Sequence, residues 1–286
     1  MANKYKLAGC VILYHPELAS IDYIKSYIDY LDKLFIVDNG QGEAVYKPLQ
    51  EVYDYIEVLN YDNMGIAKPL NDVLQLCQGK YDFLLTMDQD SYFDVGVFDK
   101  YVGQIQNFDW DKTLSIAPCV VDYDESVKDV GLKFQETARV ITSGNIVHIK
   151  NAHAIGGYDE KLFIDEVDFE ICYRAARNGL KVYEYESGIY LRHCLGNNLE
   201  KTVLFKKRSS LNHGAIRKYY MFRNRLYVYD KYKDMDEKFF YKHCIRRNFR
   251  DIRKILLVEE DKWNKLKHCW RAYQDYKAGR MGKIGL

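Results

Sequence analysis

Apolar and polar positions fall in blocks along the first half of the chain, and the blocks predict the architecture. Leu7–Leu13 is an unbroken apolar run closed by Tyr14-His15-Pro16, the pattern of a strand buried on both faces. Behind it, Ile21, Ile24, Ile28 and Leu31 recur on one stripe, and Ser20 is expected to cap the helix they predict. A second apolar run, 34–37, ends in Asp38-Asn39-Gly40. A third strand is predicted over 55–59, followed by Asp62-Asn63-Met64-Gly65 and a helix over about 66–76. A fourth, 83–87, runs straight into Asp88-Gln89-Asp90. Strands and helices in alternation predict an α/β fold, a Rossmann-like, mostly parallel sheet flanked by helices.

Signals weaken further on. Strands are expected near 114–117 and 139–141, the second leading into Thr142-Ser143-Gly144-Asn145. A Gly156-Gly157 turn precedes FIDEVDFEICYRAARNG, where Val167, Ile171 and Ala175 predict a helix ending at Gly179, the residue favoured just past a helix end. From about residue 200, Arg and Lys interleave with Tyr and Phe in a helical, amphipathic pattern. Two regions are therefore expected, a main α/β domain over 1–200 and a helical basic and aromatic extension over 201–286.

Composition narrows the function classes. A net charge of +1 over 286 residues gives no global basic field, so a nucleic-acid partner is not expected. Seven cysteines with no CxxC pair fit neither a disulfide framework nor a structural zinc site. No apolar stretch approaches the ~18 residues of a membrane span. The chain is expected in the cytoplasm, free or held at the inner face of the plasma membrane. Its oligomeric state is not legible.

Chemistry concentrates at the predicted strand ends. In open α/β sheets ligands bind at the carboxyl ends of the strands. Here those ends carry Tyr14 and His15, Asp38 and Asn39, Asp62 and Asn63, then Asp88 and Asp90. Two carboxylates at i and i+2 past a buried strand can face one Mn²⁺ or Mg²⁺, hard ions that keep sites for substrate phosphates. An isolated DxD is equally a solvated turn; its place after an apolar strand favours the metal. His193, after another predicted strand, is a further candidate ligand or a structural histidine. Asp165, Glu166, Asp168 and Glu170 crowd the start of a helix, where the helix dipole alone favours some of them. Asp168 follows apolar Phe163, Ile164 and Val167 and is the candidate base, with Asp165 its rival. Arg217, Arg223 and Arg225 suit a diphosphate if they are not simply a solvated helix face.

Taken in order, these motifs resemble glycosyltransferase family 2, of the GT-A type, over about residues 7–229. VILYHP resembles the first strand and nucleotide loop, IVDNG the nucleoside-binding strand end, and NMGIAKPLN the N-x-G-x-A-x-x-x-N segment, carried by Asn63, Gly65, Ala67 and Asn71. MDQD matches the metal-binding DxD. TSGN with GGYDEKLFIDEVDFE resembles the acceptor and base region, and RKYYMFRN the Tyr-rich segment that follows. Val167 stands where a glutamate is usual, as in the FID-x-VD variant of rhamnosyltransferase-like members; GRMGK near the C-terminus resembles their tail. The resemblance implies an inverting hexosyl or deoxyhexosyl transfer, rhamnose favoured, from a nucleotide-diphosphate sugar to a glycan or polyprenyl-linked saccharide in polysaccharide biosynthesis. Tyr14, His15, Asp38, Asn39, Asn63, Gly65, Asn71, Asp88, Arg217 and Arg223 would hold the donor; Asp88, Asp90 and His193 the metal; Asp168 or Asp165 would be the base. The rivals are a nucleotide-sugar-binding protein without turnover and a DxD phosphatase. The phosphatase is disfavoured because its motif belongs on a first strand.

Overall fold

The computed structural model describes residues 5–127, 130–193, 199–203 and 206–285. Its strands are β1 Leu7–Leu13, β2 Lys33–Asp38, β3 Ile56–Asn60, β4 Phe83–Asp88, β5 Ser91–Tyr92, β6 Thr113–Ala117, β7 Cys119–Val121, β8 Lys133–Glu136, β9 Asn145–His148, β10 Lys181–Ser187, β11 Tyr190–His193, β12 Leu199–Val203 and β13 Lys206–Ser210. Its α-helices are α1 Ser20–Lys25, α2 Glu43–Gln50, α3 Ala67–Cys77, α4 Val97–Val102, α5 Ile149–Ala154, α6 Val167–Arg177, α7 Ala215–Tyr232, α8 Glu237–Phe240, α9 Arg246–Leu257 and α10 Lys262–Lys277.

Two compact units divide the chain: Met1–Asp159 with Ile171–Cys194, and Glu160–Glu170 with Leu195–Leu286. The first is built on an eight-stranded sheet of order β3-β2-β1-β4-β9-β6-β10-β8. The β3-β2-β1-β4 half is all parallel, whereas β9 runs antiparallel to both β4 and β6. Every side chain of β1 is buried, as its unbroken apolar run requires for a strand covered on both faces. Register sets Leu13 beside Asp38, Asp38 beside Asn60 and Ile12 beside Asp88, so four carboxyl ends finish nearly level. A small second sheet, β5-β11-β7, pairs His193 with Ser91.

Three local expectations are corrected. Ser20 is the first helical residue, not the cap; Ala19 precedes it with no side-chain cap. The helix also stops at Lys25, because the Ser26 hydroxyl donates to the Tyr23 carbonyl and accepts the Phe93 N–H; Ile28 continues the apolar stripe from a short 3₁₀ turn. No strand forms at 139–141; the strand is β9, four residues later, and Thr142-Ser143-Gly144 forms the turn leading into it.

The Gly156-Gly157 turn is fixed by Asn71 of α3. Its amide accepts the Tyr158 N–H at 2.7 Å and donates to the Tyr158 carbonyl at 2.9 Å. A β-carbon on Gly157 would lie 2.4 Å from Asn71 Oδ1, and the residue has φ +67°. Gly157→Ala is therefore expected to cost about 2–4 kcal/mol and lower Tm by roughly 5–15 °C. Gly79→Ala is the control, with φ +72° and open space around its β-carbon, and should cost only the conformational part. Equal melting temperatures for the two variants in thermal denaturation would show that the Asn71 contact contributes nothing.

The second unit contains the β12-β13 hairpin and the helices from α7 onward. Its interior is unusually polar. Glu259, fully buried, takes Lys218 at 2.8 Å, Lys265 at 3.0 Å and the Ser210 hydroxyl at 2.5 Å. Those partners hold its carboxyl below the usual range although burial alone pushes it up. Among the described residues, no helix is long and apolar enough to cross a membrane.

Candidate active site

The carboxyl end of β4 gathers the metal candidates. Ligand atoms of Asp88, Asp90 and His193 all lie within 4.8 Å of one another, each side chain partly buried. Asp88 ends β4 and Asp90 lies in the turn that follows, while the β5–β11 pairing delivers His193 across from Ser91. His193 Nδ1 sits 2.7 Å from Ser91 Oγ and 3.5 Å from Asp90 Oδ1. A polar contact of this kind orients a ligating imidazole ring. Two carboxylates and one imidazole suit Mn²⁺ or Mg²⁺ in charge and hardness, and ligands ~2.1 Å from one ion stand a few ångströms apart.

The strand beneath is tied down by the TSGN turn. Thr86 Oγ1 donates to the Thr142 carbonyl, the Gly144 N–H donates to the Thr86 carbonyl, and the Asp88 N–H donates to Ser143 Oγ. The motif expected to face the acceptor thus also buttresses the DxD.

Gln89, the middle residue of the DxD, was not singled out from sequence. Its side-chain amide accepts the Tyr14 N–H at 2.7 Å and donates to the Tyr14 carbonyl at 3.1 Å, joining the β1 loop to the DxD turn. Arg192 was missed as well. It bonds Asp94 and the carbonyls of Asp122, Tyr123 and Glu125, fixing the loop after β7 next to β11. Both links span 67 to 98 residues, which local pattern cannot reveal.

Of the predicted donor residues, Tyr14, His15, Asp38, Asn39, Asn63 and Gly65 occupy or follow the ends of β1, β2 and β3. Tyr14 is exposed and meets the His15 ring edge-on at 4.3 Å. His15, at φ +48°, is steadied by Gln41. Asp38 accepts the N–H groups of Gly40 and Gly42 on one oxygen, which shapes its own loop. Asn39 donates to the Gly65 carbonyl and accepts from the Met64 N–H, clamping the β3–α3 loop in which Asn63 and Gly65 both have positive φ. Asn71 holds the glycine turn described above, a structural task.

Asp165, Asp168, Arg217 and Arg223 lie in the second unit. There Phe163, Asp165 and Glu166 all have left-handed φ, a rare run for residues with a β-carbon. Asn224 restrains them, its amide nitrogen within bonding distance of the Leu162, Ile164 and Asp165 carbonyls. Phe163 stacks on Tyr220, and the GRMGK tail closes the segment through the Gly282 N–H on the Lys161 carbonyl. Burial pushes the Asp165 carboxyl above the usual carboxylate range against the pull of Arg217, 3.5 Å away, and its Oδ2 is enclosed without a partner. Asp168 is partly buried at the first turn of α6.

The arginines separate into different roles. Arg217 is half-exposed. Arg223 is only 1% exposed, packed on the Tyr219 and Tyr220 rings and bonded to Tyr219 and Asn224. Arg225 is buried on Glu166 and Asp251. The expected diphosphate contact from Arg223 is not supported by this placement, whereas Arg217 retains an exposed guanidinium.

Comparison with known proteins gives a consistent class. No family model matches the chain. It is 24% identical over 234 residues to a dTDP-rhamnosyl transferase, RfbF, of Shigella flexneri, across 75% of this chain and 76% of that one. Among solved structures it is similar to S. aureus TarS in complex with UDP-GlcNAc, with a TM-score of 0.61 and 14% identity over 95% of this chain and 80% of that one. The fold is that of the GT-A glycosyltransferases. GalNAc-T7, solved with UDP, GalNAc and Mn²⁺, shares the GT-A fold at a TM-score of 0.54 and 13% identity; the chain covers 59% of its length and 96% of its own is matched. The sequence relative and the GT-A neighbours agree on one enzyme class, glycosyltransferase, which is the class the motif series implies.

Proposed function

We propose that the protein is an inverting, divalent-metal-dependent glycosyltransferase. It moves a hexose or deoxyhexose, with rhamnose favoured, from a nucleoside-diphosphate donor to a hydroxyl of a glycan or polyprenyl-linked glycan. The observation that carries this reading is the Asp88–Asp90–His193 cluster at the end of β4 in a GT-A sheet. Rhamnose is favoured by the RfbF relative and by the FID-x-VD motif.

In this reading Asp88, Asp90 and His193 would hold Mn²⁺ or Mg²⁺, whose charge would offset that of the diphosphate leaving group. The strand-end loops at Tyr14, Asp38 and Asn39 receive the nucleoside, and Arg217 is the available guanidinium for phosphate. Asp168 takes the proton from the acceptor hydroxyl as that oxygen bonds to the anomeric carbon. The bond from that carbon to the donor phosphate oxygen breaks, its electron pair leaves with the nucleoside diphosphate, and the configuration inverts. Asn224 and Arg225 keep the strained 163–166 segment in shape.

A thermal-shift panel tests the donor. The donors offered are dTDP-rhamnose, UDP-galactose and UDP-GlcNAc, each with Mn²⁺ and with EDTA. A donor at about one hundred times its Kd is expected to stabilise the protein by roughly 2.7 kcal/mol, with Mn²⁺ only. No shift with any nucleotide sugar in Mn²⁺ would sink the proposal, and a shift without transfer in single-turnover assays would leave a binding protein.

A further inference from the structure

Helices α9 and α10 present a surface that the transfer chemistry does not use. Residues 241–286 contain thirteen Lys and Arg against five Asp and Glu, a net +8, which leaves −7 for the rest of a chain whose total is +1. On α9 the exposed positions include Phe249, Arg250, Arg253 and Leu256; on α10 they include Trp263, Lys267, Trp270 and Tyr273. These recur every three or four residues, so each helix shows one outward face of aromatics and cations mixed. Three aromatics on these two helices are largely exposed: Trp263 is 85%, Phe249 65% and Trp270 61% exposed. Among the described residues, no carboxylate pairs with Arg250, Arg253 or Lys267.

A cavity of about 380 Å³ opens on this surface, lined by Phe222, Leu226, Phe249, Ile252, Leu266 and Trp270 among others, and its walls are almost wholly apolar. Trp270 stands in the wall of this apolar slot, and the exposed cations Arg250, Arg253 and Lys267 each follow a lining residue directly in sequence, an order that suits a bilayer interface: hydrocarbon inside, amphipathic rings at the boundary, phosphate outside. A second copy of the chain is disfavoured because two faces carrying Arg250, Arg253 and Lys267 repel each other.

We propose that the α9–α10 face docks on an anionic lipid bilayer, with one lipid chain entering the apolar cavity. Arg250, Arg253 and Lys267 meet headgroup phosphates while Trp263 and Trp270 sit at the hydrocarbon boundary. The surface is independent of the donor reading, since none of these residues holds metal or nucleotide.

The test is co-sedimentation of the full chain with phosphatidylcholine vesicles, with and without phosphatidylglycerol, at low and high salt. Binding is expected only with phosphatidylglycerol and is expected to weaken with salt. Arg250→Gln with Arg253→Gln should reduce partitioning about 30-fold, from roughly 1 kcal/mol per surface cation. Trp263→Ser, at a site too exposed to affect folding, should reduce it several-fold. Absence of vesicle binding, or binding that neither variant changes, overturns the proposal. So does a solution dimer that Trp270→Ser dissociates without any vesicle association, which would assign the face to a second copy. Equal binding of a single-stranded oligonucleotide that competes with the vesicles would also overturn it. Donor thermal shifts measured on the same samples keep a failure here separate from a failure of the transferase reading.

Discussion

Asp90→Ala is expected to abolish Mn²⁺-dependent donor binding and to lower transfer about 10³-fold, while the fold persists. The size follows from the several kcal/mol that a divalent ion contributes when charge develops on a leaving phosphate. The fold should persist because the Asp90 side chain is 47% exposed, and exposed positions usually tolerate substitution within about 0.5 kcal/mol. Asp88→Ala is expected to behave alike. His193→Ala should have a smaller effect, because two carboxylates remain and a water can replace the imidazole. The measurements are nucleotide titrations in Mn²⁺ and in EDTA, with circular dichroism to confirm folding. If chelation and Asp90→Ala both leave donor affinity and turnover unchanged, the cluster is a solvated turn and the metal reading is lost.

The second large effect concerns the base. Asp168→Asn preserves shape and removes basicity, so single-turnover transfer should fall by about 10²–10⁴ with donor affinity nearly unchanged. Asp165→Asn is the discriminating control. Asp165 has one oxygen facing Arg217 and the other enclosed, so an incoming hydroxyl finds no open oxygen on it, even though burial raises the proton affinity of its carboxyl. Its loss is expected to have a smaller effect on transfer than that of Asp168. The pH profile separates the two. A base with a raised pKa loses activity as pH falls through that pKa, so a wild-type acid limb displaced above the ordinary carboxylate range and abolished in Asp165→Asn would identify Asp165 instead. A fully active Asp168→Asn beside an inactive Asp165→Asn would have the same meaning. If both variants transfer normally, no base lies in this segment.

The legible part of the fold was its double-covered centre. Strands β1, β2 and β4 are buried on both faces and so read as continuous apolar runs, whose polar ends mark the site. Strand β8 left no such trace, because it is an antiparallel edge with all four side chains exposed. The 139–141 segment carried two β-branched residues and a false strand signal, while the true strand β9 followed a turn fixed by Thr86 and Pro118 neighbours far away in sequence. Asp88, Asp90 and His193 were singled out as acids and an imidazole at strand ends, and the structure places the three side by side. Arg223 misled for the opposite reason. A basic, aromatic helix normally turns its charges to water, but α7 buries Lys218, Arg223 and Arg225, and the acids that compensate Lys218 and Arg225 lie on other elements. Burial of charge is decided by partners, and partners distant along the chain leave no local pattern.

The Gln89 contact has a consequence for how such an enzyme can be re-engineered. Gln89 grips only the peptide group of Tyr14, so the identity of the side chain at position 14 is uncoupled from the geometry of the DxD turn. Tyr14 itself is exposed and free of that restraint. If Tyr14 faces the donor as proposed, substitutions there would retune what stacks beside it without disturbing the DxD turn, which would make the β1 loop a modular cassette and Gln89 the joint on which it is mounted.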